Sequence, residues 1–247
     1  MFESLSIPTI LVSFVALLFS LSVHEASHAT AAYLLDDDTA ARLGRMTLNP
    51  LAHIDPIGTV LFPLIGMTTG IPMIGWAKPV PVSVNRLTRR FTARTGYAMV
   101  AAAGPASNVV LAILALLAVT LGLRLLVPGH EDRWGHFVGA LNGFESLSRQ
   151  GVDPTTSLFL ALGGRMVLMN FGLAVFNLLP IGPLDGGGIL RALLPYRAAQ
   201  WFDDHRQHMY IVLLALVFLG GMKYVFRPVF DLYIHFLAWV APTLLGV

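Results

Sequence analysis

From Ile7 to Val23 the chain carries no charged side chain, and then two histidines and a glutamate arrive within five residues, His24-Glu25-Ala26-Ser27-His28. If the helical pattern continues to Leu35, the segment is long enough to cross a bilayer. Ionisable groups inside such a segment are costly and by default point to function. On a helix, residues four apart share a face, so His24 and His28 present two imidazoles to one metal ion, with Glu25 beside them. This is the H-E-x-x-H pattern, two zinc ligands plus a general base. It constrains the fold strongly: the polar half of this helix must be covered by protein, not lipid.

Composition agrees. The chain has 247 residues, of which 55% are hydrophobic and 12% charged, and its mean hydropathy is +0.70. Soluble domains carry about 25% charge, so a polytopic membrane protein is expected. A net charge of +2 with scattered Lys and Arg gives no reason to expect nucleic-acid binding. With no cysteine, thiolate metal sites, disulfides and cysteine nucleophiles are excluded. The first apolar segment lacks a basic n-region and holds the His/Glu cluster, so it is not read as a cleaved leader.

The expected architecture is an all-α polytopic membrane protein with a catalytic core over residues 1–195 and interfacial and apolar helices over 196–247. The core has spanning helices at about 7–35, 92–127 and 157–179. Asp36-Asp37-Asp38 marks the exit of the first helix from the membrane. Leu43 to Pro50 reads as a short strand and turn. Ile57 to Trp76 is apolar but broken by Gly58, Pro63, Gly66, Gly70, Pro72 and Gly75. It reads as a re-entrant segment within the membrane-associated region 39–90, allowed only where its backbone is satisfied by protein or water. Trp76 to Val82 is extended, because its prolines forbid helix. It either lies on the membrane surface or pairs with a substrate strand, which makes Trp76 and Val80 candidate substrate contacts. His53 and Asp55 read either as turn-stabilising residues or as a second polar cluster near the mouth of the site, and His130 and His136 read as solvent-exposed. The runs His208–Gly221 and Val229–Leu245 read as two further apolar helices, or a hairpin, the first short for a span.

Seven Lys/Arg lie between Arg42 and Arg94, whereas Pro128–Thr156 has only Arg133 and Arg149. The positive-inside rule puts the first loop in the cytoplasm. The first and third spans then end on that side, His24 and His28 on one and Asp185 just after the other. A catalytic zinc commonly has three protein ligands and a water, and Asp185 is the best-placed third ligand. Asn108, about one-third of the way into the second span, serves either an interhelical hydrogen bond or the site.

Three blocks resemble those of the site-2 proteases, intramembrane zinc metalloproteases: His24-Glu25-Ala26-Ser27-His28; Gly104-Pro105-Ala106-Ser107-Asn108; and Asn177-x-x-Pro180 followed by Pro183-Leu184-Asp185-Gly186. The likeness covers about residues 8 to 195 and is closest to compact bacterial members. No PDZ-like or nucleotide-sensing segment is seen in it. The resemblance implies one zinc ion on His24, His28 and Asp185, and Glu25 as base. It also implies Asn177 and Asn108 as groups that orient the substrate backbone or oxyanion. Gly104 is taken as part of the substrate-binding surface. The expected activity is hydrolysis of peptide bonds in or near transmembrane segments of membrane-protein substrates. The expected place is a bacterial cytoplasmic membrane, with the site nearer the cytoplasmic side and homo-oligomers allowed. The competing reading is a zinc-holding membrane scaffold or chaperone. The intact Glu25 argues against it, since structural zinc needs no base. A transporter is disfavoured because no charged path and no repeat is present.

Overall fold

In a computed structural model the described residues are 7–69, 75–88, 90–127 and 132–246. Among them the chain is helix and turn, with no strand. The long helices are α1 (Ile7–Leu34), α4 (Ala93–Leu126), α7 (Pro154–Asn177) and α11 (Met222–Leu245), all long and apolar enough to cross a membrane. The shorter ones are α2 (Thr39–Arg42), α3 (Phe62–Thr69), α5 (Arg133–Asn142), α6 (Phe144–Arg149), α8 (Asp185–Leu193), α9 (Tyr196–Asp204) and α10 (Arg206–Phe218). The protein is an integral membrane protein of the all-α, polytopic class.

Small side chains explain the core. On α1 the buried positions Ala16, Ser20, His24, His28 and Ala32 recur every fourth residue, and on α4 Ala101, Gly104, Asn108, Ala112 and Ala115 recur at steps of three or four. Such stripes let helices approach closely without a hydrophobic driving force. A Cβ on Gly163 of α7 would collide with Val119 of α4, and one on Gly122 would press on Phe159 and Leu160. The opposite faces are greasy: Leu11, Val15 and Phe19 on α1, and Ile113, Leu117 and Leu121 on α4, are exposed. That is the pattern of a bundle whose solvent outside is hydrocarbon.

The ends of the spans are closed by local chemistry. Asp36 adopts a left-handed φ of 72°. The Asp37 N–H then reaches back to Ala32 O at 2.9 Å and the Asp36 N–H to Tyr33 O at 3.1 Å, a Schellman closure of α1. Thr92 and Asp153 cap α4 and α7 through their side chains. At the far end α5 and α6 fold over α7, where Phe137, Leu147 and Leu160 are fully buried. Arg133 of α5 ties down the last turn of α11 through Leu245 O at 3.1 Å.

Region 39–90 differs from expectation in one respect. Leu43–Pro50 is not a strand: α2 ends at Arg42, Gly44 turns the chain at φ 67°, and Pro50–Ala52 forms a 3-10 turn. Arg45 is buried there because its guanidinium bonds Lys78 O and Pro79 O, and that long-range contact overrides the local β pattern. Next comes a π-type turn, Pro56–Leu61, running into α3. Asp55 caps it through Ile57 N and Gly58 N, while His53 Nε2 donates to Thr47 O, the turn-stabilising one of the two readings. These helical pieces of 6 and 8 residues rise about 21 Å, short of a hydrocarbon core about 30 Å thick. The breaks at Gly70 and Pro72, and His130, lie outside the described residues.

The last two apolar runs resolve into unequal helices. With 13 residues α10 rises about 20 Å and is too short to span, whereas α11 has 24. Gly220, at φ 72°, turns the chain between them. Met222 and Phe226 meet α10 and Phe176 at the end of α7, while Leu237, Ala241 and Leu245 join the core beside α4 and α5. The helix α11 therefore runs antiparallel to α7.

Candidate metal centre

Two elements, α1 and the start of α8, deliver three candidate ligand atoms. From α1, His24 and His28 project four residues apart with their rings edge to face at 4.6 Å. Asp185 is brought in from the loop after α7. Pro180 and Pro183 forbid further helix there, and the glycines that follow let the chain double back. A Cβ on Gly186 would strike Leu178 O, and one on Gly187 would strike Ile181 O. The first turn of α8 thereby packs backbone to backbone on the end of α7. Asp185 then sits with Oδ2 3.2 Å from His24 Nε2 and 3.4 Å from His28 Nε2, while the two Nε2 atoms are 3.0 Å apart.

Proton placement decides what this triangle is. His28 Nδ1 faces Val100 O at 2.8 Å. A carbonyl only accepts, so Nδ1 carries the hydrogen, and in the neutral ring Nε2 offers a lone pair. His24 Nδ1 likewise lies 2.6 Å from Asn108 Oδ1. Asp185 Oδ2 is buried without a hydrogen-bond donor. Three acceptor atoms at mutual distances of 3.0 to 3.4 Å repel one another unless a cation lies among them. The edge of a tetrahedron with bonds of about 2.05 Å is about 3.3 Å, and two imidazoles plus a carboxylate is a donor set of catalytic zinc sites. The residues fit a metal, and among the described residues His24, His28 and Asp185 are the group able to hold one.

Gly104 makes the arrangement possible. A Cβ there would overlap His28 Nε2, and it would also crowd His24 Cε1. Gly104 thus packs directly on the ligand rings; it is not among the residues lining the cavity in front of them. Asn108 does not line that cavity either: it is fully buried, binding His24 through Oδ1 and Asn170 Oδ1 through Nδ2 at 2.7 Å.

The cavity has a volume of about 890 Å³ and is walled by α1, α3, α4, α7, α11, the first residue of α10 and the extended segment 75–82. Glu25, Trp76, Val80, Asn177 and Asp185 all line it. Glu25 is 9% exposed, and its Oε2 accepts the Val80 N–H at 3.0 Å. Asn177 donates to Leu173 O, one turn back on α7. Phe226 and Phe230 bring α11 into the wall, so the site is enclosed by more than the three helices of the expected core.

Segment 75–83 crosses the cavity as a strap fixed by contacts distant in sequence. Trp76 N–H bonds Gly58 O at 3.1 Å and Lys78 N–H bonds His53 O at 2.8 Å. Thr59 Oγ1 donates to Trp76 O at 2.7 Å, and Ser83 N–H bonds Asp37 Oδ2 at 2.6 Å. The indole of Trp76 covers Gly58, where a Cβ would collide with it. Burial pushes the Asp37 carboxyl up, but hydrogen bonds from Thr39 and Ser83 outweigh it and hold it below the usual range.

Sequence reasoning passed over Asn170, Ser20 and Arg45. Asn170 is a lone amide in an apolar span, the same signal that singled out Asn108. Ser20 reads as a small packing residue, and Arg45 as one more cytoplasmic charge.

The profile of peptidase family M50 matches residues 89–220. Among curated proteins, the chain is 34% identical over 221 residues to a Bacillus subtilis (strain 168) protein named "Putative zinc metalloprotease YwhC", covering 88% of this chain and 84% of that one. It is 32% identical over 207 residues to "Putative zinc metalloprotease Rip2" of Mycolicibacterium smegmatis, covering 83% of this chain and 66% of the relative. For the Mycobacterium tuberculosis protein of the same name the identity is 29% over 200 residues, with 81% and 63% covered. No solved structure matches the chain. The chain belongs to peptidase family M50, the site-2 proteases.

Proposed function

We propose that this membrane peptidase is a zinc endopeptidase that hydrolyses peptide bonds in or near transmembrane segments of other membrane proteins, as in regulated intramembrane proteolysis. One observation carries the reading: two imidazole lone pairs and an unpartnered carboxylate oxygen converge beside Glu25 in a cavity of about 890 Å³. His24, His28 and Asp185 hold one ion per chain. A zinc ion there supplies Lewis acidity, which makes water nucleophilic near neutral pH and polarises a carbonyl.

The remaining work falls to the chain. Glu25 is oriented by the Val80 N–H. It takes the proton of the attacking water as the new C–O bond forms, and returns it to the leaving amine as the C–N bond breaks. Asn177 offers its side-chain amide to the oxygen on which charge develops. Gly104 and Asn108 serve the ligands: one leaves room for the rings, the other orients His24. A helical peptide bond is hidden by its own hydrogen bonds, so the substrate must unwind, and it lies extended along the strap between Trp76 and Val80.

The basic residues Arg42, Arg45, Lys78, Arg86, Arg90 and Arg94 share the end of the bundle where α1 leaves and α4 enters. By the positive-inside rule that end is cytoplasmic. The relatives are bacterial, and a bacterial cytoplasmic membrane is the corresponding location.

The test is cleavage of a tagged transmembrane substrate by zinc-loaded protein in lipid vesicles. Wild type cuts and Glu25→Gln does not, although both hold zinc. Undiminished cleavage by the Gln variant removes Glu25 as base. Zinc-loaded wild type that cuts no membrane substrate is a scaffold instead.

A further inference from the structure

Behind His24, on the side away from the cavity, three polar side chains are fully buried in the apolar core: Ser20, Asn108 and Asn170. Buried polar groups of a membrane protein persist where their donors and acceptors are used. Here the use has a direction. Ser20 Oγ donates to Ala16 O at 2.7 Å. A main-chain carbonyl cannot donate, so the Ser20 oxygen is left to accept, and it takes the Asn170 Nδ2 hydrogen at 2.8 Å. The second Nδ2 hydrogen goes to Met166 O at 2.9 Å, again a pure acceptor. The Asn170 amide cannot turn over without facing both carriers of lone pairs with its own oxygen.

With Asn170 fixed, Oδ1 faces Asn108 Nδ2 at 2.7 Å. Asn108 must donate there, which aims its Oδ1 at His24 Nδ1, 2.6 Å away. His24 therefore keeps its proton on Nδ1 and its lone pair on Nε2, towards His28 and Asp185. The order is set at the far end of the relay by the carbonyls of Ala16 and Met166 and read out at the ligand.

We propose that Asn170 is a positioning residue for the metal: it locks the Asn108 amide and, through it, the tautomer and orientation of His24. The proposal rests on the reading that His24, His28 and Asp185 hold zinc. It also gives the core its registration, because the relay joins α1, α4 and α7 at the level of the site. Without Asn170 the Asn108 amide keeps only the longer contact of its Nδ2 to Ser20 O at 3.4 Å, and it can turn its N–H towards His24. That favours a proton on Nε2, where it blocks a ligand position. Groups that orient metal ligands in this way are worth about 10- to 100-fold in metal affinity.

The experiment titrates zinc into metal-free, full-length protein in detergent against a competing chelator, with the visible spectrum of the cobalt form as a second readout of ligand geometry. Asn170→Leu should weaken zinc by about 10- to 100-fold and alter the cobalt spectrum. Asn108→Leu should do the same, and the double variant should be no weaker than Asn108→Leu alone, because one acts through the other. Asn170→Asp in its neutral form keeps an acceptor for Asn108 and one donor for Met166 O. It should retain most of the affinity, and it preserves the test if the Leu variant does not fold. Wild-type affinity in Asn170→Leu, or losses that multiply in the double variant, would overturn the proposal. Wild type that binds no zinc at all sinks the protease reading itself, a separate result.

Discussion

The two sides of the His24–His28 stripe are built in opposite ways. On the inner side, helices meet helices, and the polar groups of Ser20, Asn108 and Asn170 bond one another inside a buried core. On the outer side, an extended strap is pinned to the protein by His53, Arg45, Asp37 and Glu25. The inner side is repetitive and stiff, since each helix carries its own backbone bonds. The outer side is assembled one hydrogen bond at a time, and Pro79 and Pro81 have no N–H to add. The difference teaches where tolerance lies. His24 and His28 get fixed positions from a helix, whereas the strap, along which the proposed substrate would lie, is held by bonds that can be exchanged singly.

Glu25 stands on the seam between the two sides, so its loss should be the largest effect. Glu25→Gln should lower the cleavage rate by about 10²- to 10⁴-fold with zinc content unchanged, as read by metal analysis beside a gel-based cleavage assay. Gly104→Ala strikes the inner side, where a Cβ displaces both rings. It should weaken zinc binding by at least about 10-fold, in the range of disturbed ligand support, while helical content by circular dichroism is kept. Zinc binding equal to wild type would show the inner side to be softer than described.

The strap gives smaller, more local effects. Val80→Pro removes the N–H that Glu25 Oε2 accepts. A hydrogen bond to a charged group is worth about 1.5–3 kcal/mol, so kcat should fall by about tenfold or more. Val80→Ala, which keeps the N–H, should lose little. Equal losses in both would assign Val80 to side-chain packing alone. Arg45→Met should free Lys78 O and Pro79 O. Deuterium uptake over residues 75–83 should rise while that of α1, α4 and α7 does not, with KM affected more than kcat. A rise everywhere would mean that Arg45 supports the whole fold.

The smallest effect concerns Asp37, whose carboxyl is held below the usual range against the opposing push of burial. A depressed folded value means that its contribution to stability is full above the unfolded carboxyl value of about 4. It is lost as pH falls below that towards the folded value. Melting curves from pH 6 to pH 3 should therefore converge for wild type and Asp37→Asn at the acid end and differ at the neutral end.

Much of this was legible in the residues. The spans α1, α4 and α7 begin and end within a few residues of where apolar runs and their polar borders put them. The H-E-x-x-H spacing put His24 and His28 on one face because helical periodicity is local. Asp185 was legible as a carboxylate at the right end of a span. What converts it into a neighbour of His24 is the glycine-permitted fold-back of α8 on α7, a backbone contact that no local pattern records. The β pattern of Leu43–Pro50 misled because Arg45 is committed to a segment 33 residues away. Asn170 escaped notice because its partners are two other helices.

By itself the sequence determined the class of environment, the helices that cross it, and the chemistry of the donor atoms. Hydrophobicity, helical period and side-chain type act over one to a few turns, so they can be read along the chain. Only the tertiary structure decided which nitrogen of each histidine faces the centre, what holds Glu25, and why Gly104 must lack a side chain. Those are matters of where protons and atoms sit between elements far apart in sequence, and they exist only once the helices have packed.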